Sequence, residues 1–268
     1  MISVDVGKIN LKHILESGQC FRWTQKTDNI FNFVIGNNII ECQIDNKGLL
    51  MVESNSEISE TDIKNYFDTS TDYSFIKDCA DKNDEYLQNA IQKFGDIVIL
   101  RQDLWEVIIS FIISQRKSIP AIKTCIKKLS TFFGKEIKNF AQIEYSFPSP
   151  EDIQMTSLNE LEQCGVGYRA KYLKAAAEWF LTTPKNQVSI DSVKEIYGVG
   201  EKVKNCIGLF GLHDLSCCPI DVWMQRIIDN RYKGKIPDWM HSEFAGVYQQ
   251  YVFMYERSFK TKSIKEVE

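Results

Sequence analysis

Apolar and polar positions alternate along the first third of the chain and then settle into a helical period. "FRWTQ" (from Phe21), "NIFNFVIG" (from Asn29), "NIIECQI" (from Asn38) and "GLLMVES" (from Gly48) are short runs rich in aromatic and β-branched residues, separated by "KTDN", "NN" and "NKG". That pattern predicts antiparallel strands joined by tight turns. From about Thr61 the apolar spacing becomes three and four. "DLWEVIISFIISQ" (Asp103 to Gln115) is apolar nearly all round, which predicts a buried helix capped by Asp103. "SIPAIKTCIKKLSTFFG" predicts a second helix stopping at Gly134, and "YRAKYLKAAAEWFLTT", "EKVKNCIGLFG", "DVWMQRII" and "FAGVYQQYVFMYERSF" continue the series. The expected fold class is α+β: an N-terminal antiparallel β-sheet domain over residues 1–98, packed on a mostly α-helical domain over residues 99–268.

Composition narrows the class. With 268 residues and 44% hydrophobic content, the chain can bury one large core or two moderate ones. No apolar stretch approaches the roughly 18–20 residues that span a bilayer, and "MISVDVGKINLKHILESG" lacks the basic and apolar regions of a signal peptide. A cytoplasmic protein with no targeting segment and no membrane partner is expected, nucleoid-associated if prokaryotic, and a monomer. The eight cysteines are scattered, as expected of reduced thiols. No C-x-x-C pair occurs and none follows Cys218, which argues against a zinc knuckle or a C-terminal iron–sulfur loop; no metal site is expected. The net charge of −4 is unevenly placed: residues 1–96 hold 9 basic and 16 acidic side chains, residues 97–268 hold 23 and 20. The basic surplus lies in the helical part, a weak pointer to a polyanion.

Chemistry concentrates around "YGVGEKVKNC" (Tyr197 to Cys206), and "QCGVGYRAKY" (from Gln163) also sets G-V-G before a helix. Glycines permit a tight turn and close backbone approach, while a following helix directs free N–H groups outward, a combination suited to phosphate. Either doublet by itself is also an ordinary helix–helix connection. "Apolar-x-G-V-G-x-K-V" matches more specifically a helix-hairpin-helix that grips a DNA backbone without reading sequence. Lys202 stands in a first helical turn, where the positive end of the helix dipole disfavours a cation, so either it is merely solvated or its amine is wanted in an unusual state. Residues four apart share a face, so Lys202, Cys206 and Phe210 form one stripe. In "CPIDVW", Pro219 shapes the approach to a helix that Asp221 begins. Separately these are a surface lysine and an N-cap; together they describe an amine nucleophile beside a carboxylate kept ionised.

With these residues the sequence resembles the 8-oxoguanine DNA glycosylase/lyase family of the helix-hairpin-helix superfamily. The likeness runs from about Ser17 to Phe259 through "SGQCFRW", "RQDLWEVIISFI", "GVGYRAKY", "GVGEKVKNC", "PIDV" and "AGVYQQYVF", in the family's order. The resemblance implies base excision repair of double-stranded DNA containing 8-oxoguanine. The lesion is flipped out, Lys202 attacks the sugar C1′, Asp221 stabilises the cationic transition state, and β-elimination through the Schiff base cuts the strand. It implies a Gly18 carbonyl accepting from N7–H of the lesion, Cys206 and Phe253 sandwiching the base, Gln249 reading its Watson–Crick edge, and Phe210 and Pro219 lining the pocket. It implies a wedge of Tyr168 and Arg169, with Gln115, Arg116, Gly198, Gly200, Val203 and Trp223 on the DNA. No cofactor is implied beyond a possible monovalent cation on the hairpin carbonyls.

Departures stand at three places. "SQRKSIPAI" (Ser114 to Ile122) replaces an asparagine-rich segment, leaving Arg116 and Ala121 at opposite-base positions; Trp223 stands where a histidine is expected, and Phe210 where a methionine is. Two other readings stay open: a monofunctional alkylated-base glycosylase, which uses the aspartate with water, and a non-catalytic helix-hairpin-helix DNA-binding module.

Overall fold

The computed structural model describes residues 1–138 and 143–265, with side chains through Phe259. Five strands, β1 (Ile2–Val4), β2 (Trp23–Gln25), β3 (Phe31–Ile35), β4 (Asn38–Ile44) and β5 (Leu50–Ser54), form an antiparallel sheet in the order β1-β5-β4-β3-β2. The central strands alternate: Phe31, Phe33, Ile40, Cys42, Leu50 and Val52 turn to the core, while Asn32, Glu41 and Glu53 do not. The register pairs Phe33 with Ile40 and Cys42 with Val52, so apolar positions coincide across strands. Neither β1 nor the helix α1 (Leu11–Glu16) shows in the hydrophobic alternation, because each is only a turn or three residues long.

Helices follow: α2 (Glu60–Tyr66), α3 (Tyr73–Asp78), α4 (Glu85–Phe94), α5 (Leu104–Ser114), α6 (Ile119–Phe133), α7 (Pro150–Met155), α8 (Leu158–Gln163), α9 (Ala170–Thr182), α10 (Glu201–Phe210), α11 (Val222–Arg231) and α12 (Ala245–Lys265), of which α5, α6 and α9 to α12 are the segments singled out by the apolar spacing. A small hairpin of β6 (Glu136–Lys138) and β7 (Ile143–Tyr145) interrupts them. The apolar helix is the central one: Trp105 and Val107 to Ile113 of α5 are buried, and Asp103 caps it by accepting from the Glu106 N–H at 2.9 Å. One continuous apolar core joins sheet residues such as Phe33 and Leu50 to Ile109, Leu173, Ile207 and Val252. No helix among the described residues is long and apolar enough to cross a membrane.

Close packing around α10 decides where the site lies. A Cβ on Gly208 would sit 2.4 Å from the Cys217 Sγ, so only glycine lets the segment leading to Asp221 press against the helix that carries Lys202.

Candidate active site

The two hairpins differ in why they use glycine. Gly198 has φ +94°, and a Cβ there would lie 2.4 Å from the Tyr172 ring, so its first requirement is internal packing. Gly200 caps α10 at φ −95° with open space beside it. A Cβ on Gly200 would meet nothing within 4 Å, and the free N–H groups of the first turn are of the kind that can receive an anion. No side chain caps that turn. The Val203 side chain of that turn is buried in the core, so what Val203 brings to the turn is its backbone. Lys194 and Lys204 bind the two carboxylate oxygens of Glu201, at 2.5 and 2.9 Å, and hold its acid at about 2, so the hairpin's acidic group is neutralised.

Beside the hairpin opens a cavity of about 840 Å³. Lys202 and Asp221 both line it, with Gly18, Cys206, Phe210, Pro219, Gln249 and Phe253, and Gln115, Arg116 and Trp223 complete the predicted residues found there. The Lys202 amine donates to the Ser114 Oγ at 3.1 Å and stands 5.2 Å from the centre of the Phe111 ring. Ser114 spends its own proton on the Phe111 carbonyl at 2.7 Å, so its hydroxyl can only accept from the lysine. Asp221 caps α11: one oxygen, Oδ1, accepts from the N–H groups of Trp223 and Met224, both at 2.9 Å. The second oxygen takes no part in the cap.

The walls are aromatic and thiol. Phe210 stacks on Phe111, centroids 5.2 Å apart and planes 14° from parallel. Phe253 meets Trp223 edge-on at 6.5 Å and carries the Arg257 guanidinium 5.2 Å from its centre. Burial pushes the Cys206 thiol up to about 11, against the lowering effect of Lys202. Gly18, at φ +81°, is held by its neighbour: the buried Gln19 accepts from Leu100 N–H at 2.8 Å and donates to the Val98 carbonyl at 3.0 Å.

Tyr168, Arg169, Gly198, Gly200 and Val203 lie outside the cavity lining, on the two hairpins that flank it. Tyr168 projects, about half exposed. Arg169 does not: it is 5% exposed, stacks against the Tyr168 ring, and donates to the carbonyls of Val166, at 3.0 Å, and Gln115. An expected wedge side chain is therefore folded inward, because the loop after α5 offers it an unpaired carbonyl. Gln115 ties both hairpins, donating its own amide to the Gly198 carbonyl at 3.1 Å. The sequence reading assigns no role to Ser114, Gln19, Gln250 or Arg257, although "SGQCFRW" contains Gln19, "AGVYQQYVF" contains Gln250 and "SQRKSIPAI" begins at Ser114.

Comparison with known proteins agrees with this geometry. Residues 1–108 match the N-terminal domain of 8-oxoguanine DNA glycosylase, and residues 109–238 match the HhH-GPD superfamily of base excision DNA repair proteins. The solved structure of MBOgg1 in complex with low affinity DNA ligand superimposes with a TM-score of 0.87 at 32% identity, covering 95% of this chain and 94% of that one. The chain belongs to the 8-oxoguanine DNA glycosylase family. The Clostridium acetobutylicum 8-oxoguanine glycosylase/lyase, solved with double-stranded DNA containing cytosine opposite 8-oxoguanine, gives a TM-score of 0.83 at 28% identity over 94% of this chain and 93% of that one. The probable N-glycosylase/DNA lyase of Methanothermobacter thermautotrophicus is 29% identical over 63% of this chain, and the match spans 61% of that relative's length.

Proposed function

We propose that this glycosylase is bifunctional: it excises 8-oxoguanine from double-stranded DNA and then cuts the strand at the abasic sugar, in base excision repair. The observation that carries the reading is the opening of Lys202 and Asp221 onto one cavity whose wall includes Gly18. The alternatives use less of the site. A non-catalytic module needs only the hairpin, and a monofunctional alkylated-base glycosylase needs Asp221 but no amine.

The hairpin's free N–H groups and the basic helical part hold the phosphate backbone, and the nucleotide rotates out at a cost of about a few kcal/mol. Lys202 keeps one hydrogen on Ser114 and, once its amine has given up a proton, can turn its lone pair to C1′. The Nζ–C1′ bond forms as the C1′–N9 bond breaks, and the electron pair departs with the base. Asp221 faces the positive charge that develops on the sugar. Loss of the amine proton and opening of the sugar ring give an iminium at C1′. That cation makes a C2′ proton acidic, and its removal expels the 3′ phosphate. Specificity comes from one hydrogen: 8-oxoguanine carries N7–H where guanine carries a lone pair, so the Gly18 carbonyl accepts from one and repels the other.

A monovalent cation on the hairpin carbonyls fits the donor chemistry. Ile196 O and Gly198 O accept one hydrogen bond each, from Val199 N–H and from Gln115, leaving a lone pair apiece. Such an ion would add positive field beneath the bound phosphate.

Sodium borohydride trapping on duplex DNA containing 8-oxoguanine tests the reading. A covalent adduct that disappears with the amine supports it; excision without trapping returns the monofunctional alternative, and binding without excision the module.

A further inference from the structure

On the reading of the cavity as the 8-oxoguanine pocket, one cation in its wall does more there than carry charge. Gln249, Phe253 and Arg257 follow one another at four-residue spacing on α12, so they form a stripe, and all three line the cavity. Helical side chains lean toward the N-terminus of their helix, which brings the Arg257 guanidinium back over the Phe253 ring, 5.2 Å from its centre. Its Nη1 donates to the Glu16 carbonyl at 2.7 Å. Glu16 is the last residue of α1, where a helix leaves its carbonyls without internal partners, and Gly18 stands two residues farther on. Burial pushes the Arg257 pKa down from its ordinary value, against the upward pull of the Glu16 and Asp221 carboxylates, and the guanidinium stays charged.

A planar guanidinium can stack through its face and donate through its edge at the same time, which an ammonium on a flexible stem does not do. Arg257 therefore joins two parts of the pocket that come from opposite ends of the chain: the ring on which the flipped base lies, and the segment whose carbonyl tests N7. Gln19 fixes that segment to the core through Val98 and Leu100, so the segment is a firm anchor. We propose that Arg257 is a positioning residue for base recognition: stacked on Phe253 and bonded to the Glu16 carbonyl, it holds the ring where a base lying on its other face presents N7–H to the Gly18 carbonyl. The cation acts through the ring and touches neither the base nor the DNA backbone. A ring released from it lets the base settle out of line with Gly18, and the sugar C1′ moves with the base, away from Lys202.

Single-turnover excision of 8-oxoguanine by the wild type, Arg257→Met, Phe253→Ala and the double variant tests this. Met keeps the apolar stem and removes both the stack and the donor. Arg257→Met is expected to excise about tenfold more slowly than the wild type, as a small misplacement of the reacting atoms does. In the Phe253→Ala background the same substitution should change the rate by no more than about twofold, since the ring through which Arg257 acts is gone. Affinity for an undamaged duplex should stay within about twofold in Arg257→Met, because no phosphate contact is lost. A loss of equal size in both backgrounds overturns the inference. So does a fall in undamaged-DNA affinity as large as the fall in rate, which would make Arg257 a backbone contact. An Arg257→Met enzyme as fast as the wild type or faster overturns it as well, the faster one by showing that the guanidinium occupies the place of the base. If Arg257→Met does not fold, Arg257→Lys, which cannot stack and reach Glu16 at once, takes its place in the cycle with the same expectation. A folded wild type that excises no 8-oxoguanine fails the enzyme assignment itself, whereas an active wild type with an additive cycle fails this inference alone.

Discussion

The Lys202 amine lies 3.1 Å from the Ser114 hydroxyl, and because that hydroxyl gives its proton to the Phe111 carbonyl, the lysine must be the donor. The bond therefore fixes where the amine sits. It also links α10 to the last turn of α5, the most deeply buried helix in the fold. Replacing Lys202 with Gln keeps the length and a donor for Ser114 but removes the nucleophile. The variant should bind 8-oxoguanine DNA within a few-fold of the wild type and show no borohydride adduct and no strand cleavage. Undiminished cleavage would overturn the mechanism.

Asp221 holds α11 with one oxygen, so charge and capping can be separated. Asn in its place keeps an acceptor for the Trp223 and Met224 N–H groups. Melting should shift by no more than a few degrees, while excision slows by about 10²–10³, as when one electrostatic stabiliser of a transition state is removed. Excision near the normal rate, measured under single turnover, would leave Asp221 as a cap alone.

Gly198 and Gly200 should fail in different ways. Gly198→Ala forces a Cβ into the Tyr172 ring at φ +94° and is expected to destabilise the fold by about 1–3 kcal/mol. Gly200→Ala has room and an ordinary φ, so the protein should stay folded with a smaller loss at the cap. Its DNA affinity should nonetheless fall by about tenfold, since the methyl holds the phosphate off the helix terminus. Thermal melting and filter binding on both variants decide; unaltered affinity in Gly200→Ala would remove the phosphate from that turn.

The Cys206 thiol, pushed up to about 11 by burial, should remain protonated through the working range of a DNA enzyme. Iodoacetamide attacks the thiolate, so at pH 8 labelling of Cys206 should be at least tenfold slower than that of the exposed Cys79. Raising the pH toward 11 should narrow the gap as the thiol ionises. Mass spectrometry of labelled peptides reads both rates; equal labelling at pH 8 would mean an open, ionised Cys206.

Opposite-base discrimination should be weak. Ala121 has no donor, Arg116 is an exposed and flexible cation at φ +53°, and Arg169 is engaged with the carbonyls of Val166 and Gln115. Strong selection of cytosine needs fixed donors on its acceptors, at about 1–3 kcal/mol per good bidentate contact. Excision of 8-oxoguanine opposite cytosine, thymine, guanine and adenine is expected within about tenfold, a span of about 1.4 kcal/mol. A hundredfold preference for cytosine would mean that Arg116 or another residue supplies fixed donors to the orphaned base, and would overturn this prediction.

Local pattern by itself determined the four central strands and the long helices, since alternation of two and spacing of three to four report which face is buried, but it left β1, α1 and the β6–β7 pair unmarked. It marked the caps Asp103 and Asp221, whose role needs only their own first turn. Residues carrying the resemblance, Lys202 among them, were legible because their spacing along α10 and the hairpins is a local property. Tertiary structure decided the rest. That Arg169 turns inward, that Val203 is core, and that Gln19 straps Gly18 in place depend on partners such as Gln115, Val98 and Leu100, distant in sequence and brought near by packing. The Arg257 bridge from the Glu16 carbonyl to the Phe253 ring is of the same kind. Whether a polar atom finds a partner is set by everything that surrounds it, and no window of sequence contains that.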